Sequence, residues 1–215
     1  MIVAVDGPSA SGKGTLARRL AQHYRLAHLD TGILYRAAAL RALDRGGDPA
    51  DPEVATAAAR AVQLADRDDP RLREERVGEA ASVVAAIPAV RTALLGFQRD
   101  FAHRPPEGFA GAVLDGRDIG TVVCPEADAK IFVTASPEAR AARRFKELQA
   151  EGVRIIYERV LQDMKARDAR DSSRATAPLR RAPDALELDT TALDADATFA
   201  AAVEFIAARL AGKRG

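Results

Sequence analysis

Short apolar runs alternate with amphipathic stretches along the whole chain. Residues 2–5 form a continuous apolar run of strand length, and from 15 to 24 Leu16, Ala17, Leu20, Ala21 and Tyr24 recur at three- and four-residue spacing. That spacing predicts a helix with one face packed on a sheet. A second short strand is expected over 26–29, then a helix over 34–43 closed by Gly46 and Gly47. Asp51-Pro52-Glu53 reads as a helix start, with Asp51 as cap and Pro52 in the first turn of an alanine-rich helix running toward Leu64. The dense mixed charge of 66–76 around Pro70 predicts a solvated connection.

Helical spacing returns over 80–101 with a break at Pro88, and Arg104-Pro105-Pro106-Glu107-Gly108 reads as a loop. Residues 109–114 and 130–134 are apolar enough for buried strands, the second followed by the helix-opening Ser136-Pro137-Glu138. Helical periodicity covers 139–151, pauses at Gly152 and resumes over 155–168. A last strand over 185–188 leads to a terminal helix ending near Gly212. Strands alternating with helices, without internal repeats, predict an α/β fold with a central parallel sheet covered on both faces. Ligands of such folds gather beyond the C-terminal strand ends.

Composition narrows this picture. A chain of 215 residues holds one α/β domain of ordinary size with room for a small insert, while two full domains would be cramped. A net charge of +1 and few aromatics argue against nucleic acid, and no apolar run approaches membrane-spanning length. Of 32 basic residues five are lysine, leaving 27 arginines, whose planar fork suits phosphate and carboxylate. The single cysteine, Cys124, excludes an intrachain disulfide and a cysteine-based metal site, and with no targeting signal it fits a reducing cytoplasm. His23, His28 and His103 lack metal-ligand spacing and read as structural.

The chemistry concentrates at predicted strand ends. Gly7-Pro8-Ser9-Ala10-Ser11-Gly12-Lys13-Gly14-Thr15 lies between the first strand and the first helix. Glycines there let successive N–H groups turn around phosphate oxygens, and the helix N-terminus and Lys13 add positive charge. This is a P-loop, except that Gly14 stands where Ser or Thr usually follows the lysine. After the second strand, Asp30-Thr31-Gly32 leads to Arg36, which can clamp a second phosphate or lie on the helix surface. In Asp115-Gly116-Arg117-Asp118, Asp115 could hold a water of Mg²⁺, Arg117 a transferring phosphate and Asp118 a base amino group; a polar turn is the plain alternative. Arg167, Arg170, Asp171 and Arg174 close a helix, where basic residues also meet the helix dipole. Arg140, Arg143 and Arg144 could reach ATP phosphates from a mobile lid or form a solvated helix face.

The Gly-Lys-Gly-Thr ending resembles nucleoside monophosphate kinases more than GTPases or motor ATPases. Taken with 30–36, 80–91, 115–123 and 167–179, nearly the whole chain resembles bacterial cytidylate kinases. The resemblance implies a P-loop NTPase three-layer fold: a core over 1–33 and 109–215, an inserted monophosphate-binding region over 34–108, and a short lid within 140–172. It implies transfer of the γ-phosphoryl group of ATP to CMP or dCMP with Mg²⁺ in a cytoplasmic monomer, with no direct protein ligand to the metal. Gly7 to Thr15 would bind ATP, and Lys13, Arg36, Arg117, Arg143 and Arg144 would serve catalysis. Ser82, Arg91 and Asp118 resemble the cytosine-recognition set and Arg36 and Arg117 the acceptor-phosphate clamps. Arg167, Asp171 and Arg174 match positions near the sugar and its phosphate, and Thr31 falls on the same side. One departure is visible: the extra strands that the family carries before Ala80-Ala81-Ser82 have only 65–79 to occupy, so the insert's sheet is expected to be reduced or absent. Other readings are a P-loop kinase acting on UMP, AMP or a metabolite hydroxyl, and a nucleotide switch, although no guanine-reading Asn-Lys-x-Asp segment occurs.

Overall fold

A computed structural model describes residues 1–212. Strands β1 (Ile2–Asp6), β2 (Ala27–Asp30), β3 (Ala112–Gly116), β4 (Ala129–Thr134) and β5 (Leu186–Asp189) form one parallel sheet in the order β2-β3-β1-β4-β5. The helices are α1 (Lys13–Tyr24), α2 (Thr31–Asp44), α3 (Pro52–Arg60), α4 (Glu75–Val84), α5 (Pro88–His103), α6 (Pro137–Ala150), α7 (Tyr157–Ser173) and α8 (Ala195–Gly212). Val3, Val5, Val113, Ile131 and Val133 pack with α1 and α8 on one face. Ala4, Leu29 and Leu114 pack with α2 to α5 on the other. Because both faces are covered, the central strands β1 and β3 are apolar runs up to their C-terminal ends, whereas the edge strands β2 and β5 alternate. This is the three-layer P-loop kinase fold.

The register aligns the strand ends that carry function. Asp6 pairs with Gly116, and Asp30 with Asp115, so β1, β2 and β3 finish along one edge. Central β1 delivers the glycine-rich loop there, and β3 delivers Arg117 and Asp118 beside it.

Several boundaries differ from the sequence expectation. The first helix begins at Lys13 instead of Thr15. Helix α2 begins at Thr31 because Asp30 accepts the Gly32 N–H at 2.9 Å, capping the helix directly at the strand end. Strand β3 begins only at Ala112, and Phe109 stays 45% exposed. Asp51 caps α3 as expected, but that helix stops at Arg60.

The segment 66–76 is a mostly exposed connection, as expected, but not an irregular one. It forms 3₁₀ turns at Leu64–Asp68 and Pro70–Arg73, followed by the start of α4, so 65–79 contains no strand. Leu72 is 1% exposed among Ala37, Leu40 and Val77, and Asp66 accepts from Arg41 Nε and Nη2 and from the Gln63 N–H. Charge density correctly marked the exposed positions, while the turns and their single apolar anchor depend on packing against α2. Helix α7 outruns its apolar pattern, which fades near Asp168, because ion pairing takes over the inward face at Asp171.

Among the described residues no single helix is long and apolar enough to cross a membrane. The pair α4 and α5 passes on length and composition only when joined across a 101° bend, and its apolar face belongs to the core.

Candidate active site

The loop after β1 is shaped by backbone crowding. At Gly7 (φ 155°) a Cβ would lie 2.1 Å from the Val133 carbonyl oxygen, and Gly12 adopts a left-handed φ of 89° that only glycine takes freely. Ala10 is also left-handed (φ 56°), a strained conformation for a residue with a Cβ. Lys13 Nζ reaches back across the loop to the Pro8 carbonyl at 3.3 Å. Burial, then the nearby Arg117 charge, pull the Lys13 ammonium down to about 7. An anion in the loop would offset both penalties by its opposite charge and favour the ammonium. Beside the loop a cleft of about 610 Å³ opens between Thr15, Leu16, Arg143, Thr190 and Leu193.

Facing the loop, a second cleft of about 490 Å³ is lined by Thr31, Arg36, Ser82, Arg91, Arg117, Asp118, Arg167, Asp171 and Arg174, every acceptor-side residue expected from sequence. They come from α2, α4, α5, the turn after β3 and the end of α7. Five guanidinium groups meet two carboxylates there. Asp118 Oδ2 accepts from Arg91 Nη2 at 2.5 Å, and Arg91 lies over the Tyr35 ring at 5.4 Å. Asp171 is 2% exposed, with one oxygen bound by Arg117 Nε at 2.8 Å and the other by Arg174 Nη2. Burial pushes the Asp171 carboxyl up, but Arg117 and Arg174 outweigh it and hold the group below its usual range. Each oxygen of Asp171 thus carries one arginine donor, which fixes the carboxylate at the cleft wall and leaves a lone pair on each oxygen.

The remaining cations lack carboxylate partners. Arg36 donates to the Leu72 carbonyl at 2.7 Å, and burial lowers its pKa. Arg167 has a buried Nε without a partner, and burial followed by the Arg117 charge lower its pKa to about 10. Arg36 and Arg167, together with Arg117, whose partner Asp171 is shared with Arg174, thus form a cluster with excess positive charge opposite the Lys13 loop. Such a cluster binds an anion with charge-assisted hydrogen bonds.

Between the two clefts, Asp30 and Asp115 stand at neighbouring strand ends. Burial, then Asp115, raise the Asp30 carboxyl. Asp115 Oδ1 contacts His28 Nε2 at 2.7 Å, and its other oxygen lies 3.7 Å from where a Gly14 Cβ would sit. Two crowded carboxylates make an all-oxygen donor set suited to a hard divalent cation such as Mg²⁺. His28, read from sequence as structural, holds one oxygen of Asp115 beside this site.

The three helix-α6 arginines have different fates. Arg140 does not form a solvated helix face: it is 3% exposed, binds both oxygens of Asp168 (3.1 and 2.6 Å) and donates to the carbonyls of Ala135 and of Ser9 in the glycine-rich loop. It ties α6 to α7. Arg143 donates to Thr190 (3.0 Å to Oγ1, 2.5 Å to the carbonyl) and lines the cleft beside the loop. Arg144 pairs with Glu75 of α4 and with Glu147, in a cleft of about 1070 Å³ that joins the acceptor cleft through Ser82 and Arg167.

Sequence reading missed Tyr35, Thr190 and Asp6. Tyr35 carried a signal in its place beside Arg36, but Thr190 reaches the loop only through β5, its Oγ1 donating to the Ser11 carbonyl at 2.9 Å. Folding also brings Cys124, His103 and Glu126 within 4.8 Å of one another, a grouping the chain's spacing does not reveal. His103 is paired with Glu126 at 3.2 Å, and burial pushes the enclosed Cys124 thiol up to about 12.

A family model described as cytidylate kinase matches residues 3–208. Cytidylate kinase from Methylocella silvestris is 60% identical over 206 residues, covering 96% of this chain and 94% of that protein. Cytidylate kinases from Methylobacterium sp. (60% identity, 99% and 100% coverage) and Rhodospirillum rubrum (58%, 96% and 97%) match similarly. Among solved structures, an uncharacterized protein from Eubacterium ventriosum aligns with a TM-score of 0.54 at 14% identity over 96% of this chain and 98% of that one, a likeness of fold alone.

Proposed function

The chain belongs to the cytidylate kinase family, and on that premise we infer that it transfers the γ-phosphoryl group of ATP to CMP or dCMP. The observation that carries this reading is the arginine-rich cleft facing the Lys13 loop, with three unpaired or partly paired guanidinium groups placed for a second phosphate. An oxygen of the acceptor phosphate attacks the γ-phosphorus while the bond to the β–γ bridging oxygen breaks, leaving ADP. The acceptor is already anionic, so no strong base is needed, and catalysis rests on alignment and charge neutralisation.

In this reading the loop amides and Lys13 hold the donor phosphates, and the donor nucleoside lies in the cleft by Thr190 and Leu193. Arg36, Arg117 and Arg167 take the acceptor phosphate. Arg91 and Asp118 read the base edge, with Ser82 and Tyr35 lining it; a carboxylate facing N4 with an arginine facing N3 and O2 suits cytosine and mismatches uracil. Mg²⁺ would sit by Asp115 and Asp30 through water and neutralise charge on the transferring group. Arg143 supports the donor side, and Arg144 joins the transferring group after exchanging Glu75 for phosphate. In this reading residues 34–108 are the acceptor-binding region of a single domain, with a short lid within 140–172.

ADP release by the purified protein, given ATP, Mg²⁺ and a panel of nucleoside monophosphates, tests the reading. CMP and dCMP should exceed UMP and AMP in kcat/KM by at least tenfold. Equal use of UMP or AMP, or no ADP release above the ATP-only rate, would overturn it.

A further inference from the structure

Asp6 is buried (4% exposed) at the end of β1, immediately before the donor loop, yet its side chain points away from that loop. Its Oδ1 accepts the Ile119 N–H and its Oδ2 the Gly120 N–H, both at 2.8 Å. These two amides open the π-helical turn Ile119–Val123, in which Val123 and Cys124 bond back to the carbonyls of Asp118 and Ile119. As the first amides of a helical turn they have no carbonyl within it to bond, so the carboxylate supplies their partners. Gly120 leaves room for this approach: a Cβ there would lie 3.5 Å from Asp6 Oδ2 and 3.2 Å from the Lys130 stem.

Arg117 and Asp118 directly precede the anchored amides. Asp118 binds Arg91, Arg117 binds Asp171, and Gly7 N–H donates to the Gly116 carbonyl at 3.3 Å on the other side of the same junction. We propose that Asp6 is a positioning residue for acceptor recognition: its carboxylate pins the turn that aims Arg117 and Asp118, and so fixes the acceptor cleft relative to the donor loop. This rests on the reading of Arg117 and Asp118 as acceptor-binding groups. Asp6 touches neither nucleotide and acts only through the turn. A carboxylate is required because it accepts at both oxygens, whereas an amide accepts at one and sets its NH₂ against the second N–H.

The test is Asp6→Asn, which keeps the size, assayed at pH 8 with CMP, UMP and ATP varied in turn. KM for CMP should rise about tenfold, the CMP-over-UMP preference should fall at least fivefold, and KM for ATP should stay within about twofold, from the loss of one bond to a charged group. A merely structural role would lower Tm and leave CMP KM and the preference unchanged; that result in a folded variant would overturn the proposal. Should Asp6→Asn not fold, hydrogen exchange in the wild-type protein decides. The Ile119 and Gly120 amides should be protected before CMP is added and change little afterwards, whereas exchange at open-loop rates without CMP would overturn the anchor. Wild-type protein inactive on CMP would instead refute the functional reading and leave the exchange result standing.

Discussion

Replacing Asp118 by alanine separates recognition from stability, because this carboxylate has two jobs with different magnitudes. On the recognition side, loss of a base-edge contact costs about 1–3 kcal/mol of discrimination, or about 5- to 150-fold in the CMP-to-UMP ratio of kcat/KM. The loss should fall on CMP, since uracil presents a carbonyl where the carboxylate would accept. On the stability side, Asp118 is 5% exposed and its Oδ2 pairs with Arg91, itself 7% exposed. Breaking a buried pair typically costs about 3–5 kcal/mol. Arg91 keeps the Ala85 carbonyl at 3.3 Å and the Tyr35 face, so the lower end applies. For a chain of this size about 3 kcal/mol corresponds to a fall in Tm of about 6–12 °C. Steady-state assays at matched ATP and Mg²⁺ would measure the ratio, and thermal unfolding of the same preparation the stability. A folded variant with an unchanged CMP-to-UMP ratio would remove Asp118 from base recognition. An unchanged Tm would refute the energetic weight given to its pairing with Arg91.

Two further expectations concern the cations. Lys13 has a pKa near 7 in the free protein, so at pH 8 it is mostly neutral, and the donor phosphates would restore its proton. ATP binding at pH 8 should take up about 0.5–1 proton and weaken as pH rises above 7. Calorimetry in two buffers of different ionisation enthalpy measures this, and zero uptake would refute it. Arg167→Met should act with opposite signs on function and stability. KM for CMP should rise about 10- to 100-fold through loss of a charge-assisted contact. Ligand-free Tm should rise by about 2–4 °C because a poorly partnered cation is gone, and a fall in Tm would show that Arg167 is compensated after all.

Much of the fold was legible from local patterns, for local reasons. The apolar run 2–5, the glycine-rich loop and the periodicity of α1 identify a strand, a phosphate cradle and a helix from neighbouring residues alone, as do Asp51 before Pro52 and the break at Pro88. The nine residues expected on the acceptor side line one cleft; Arg36, Arg117 and Asp118 stood out at predicted strand ends, whereas Ser82 and Arg91 were singled out only by the family resemblance. What those residues do to one another was not legible. That Asp171 is held by Arg117 and Arg174, that Arg140 locks onto Asp168, and that Asp6 reaches Ile119 and Gly120 across 113 and 114 positions depend on strand order and register. Local sequence determines where charged groups emerge, through cap, turn and strand-end chemistry. Only the packed sheet decides which opposite charges fall within hydrogen-bonding distance, and so which arginines remain unpaired and available to a phosphate.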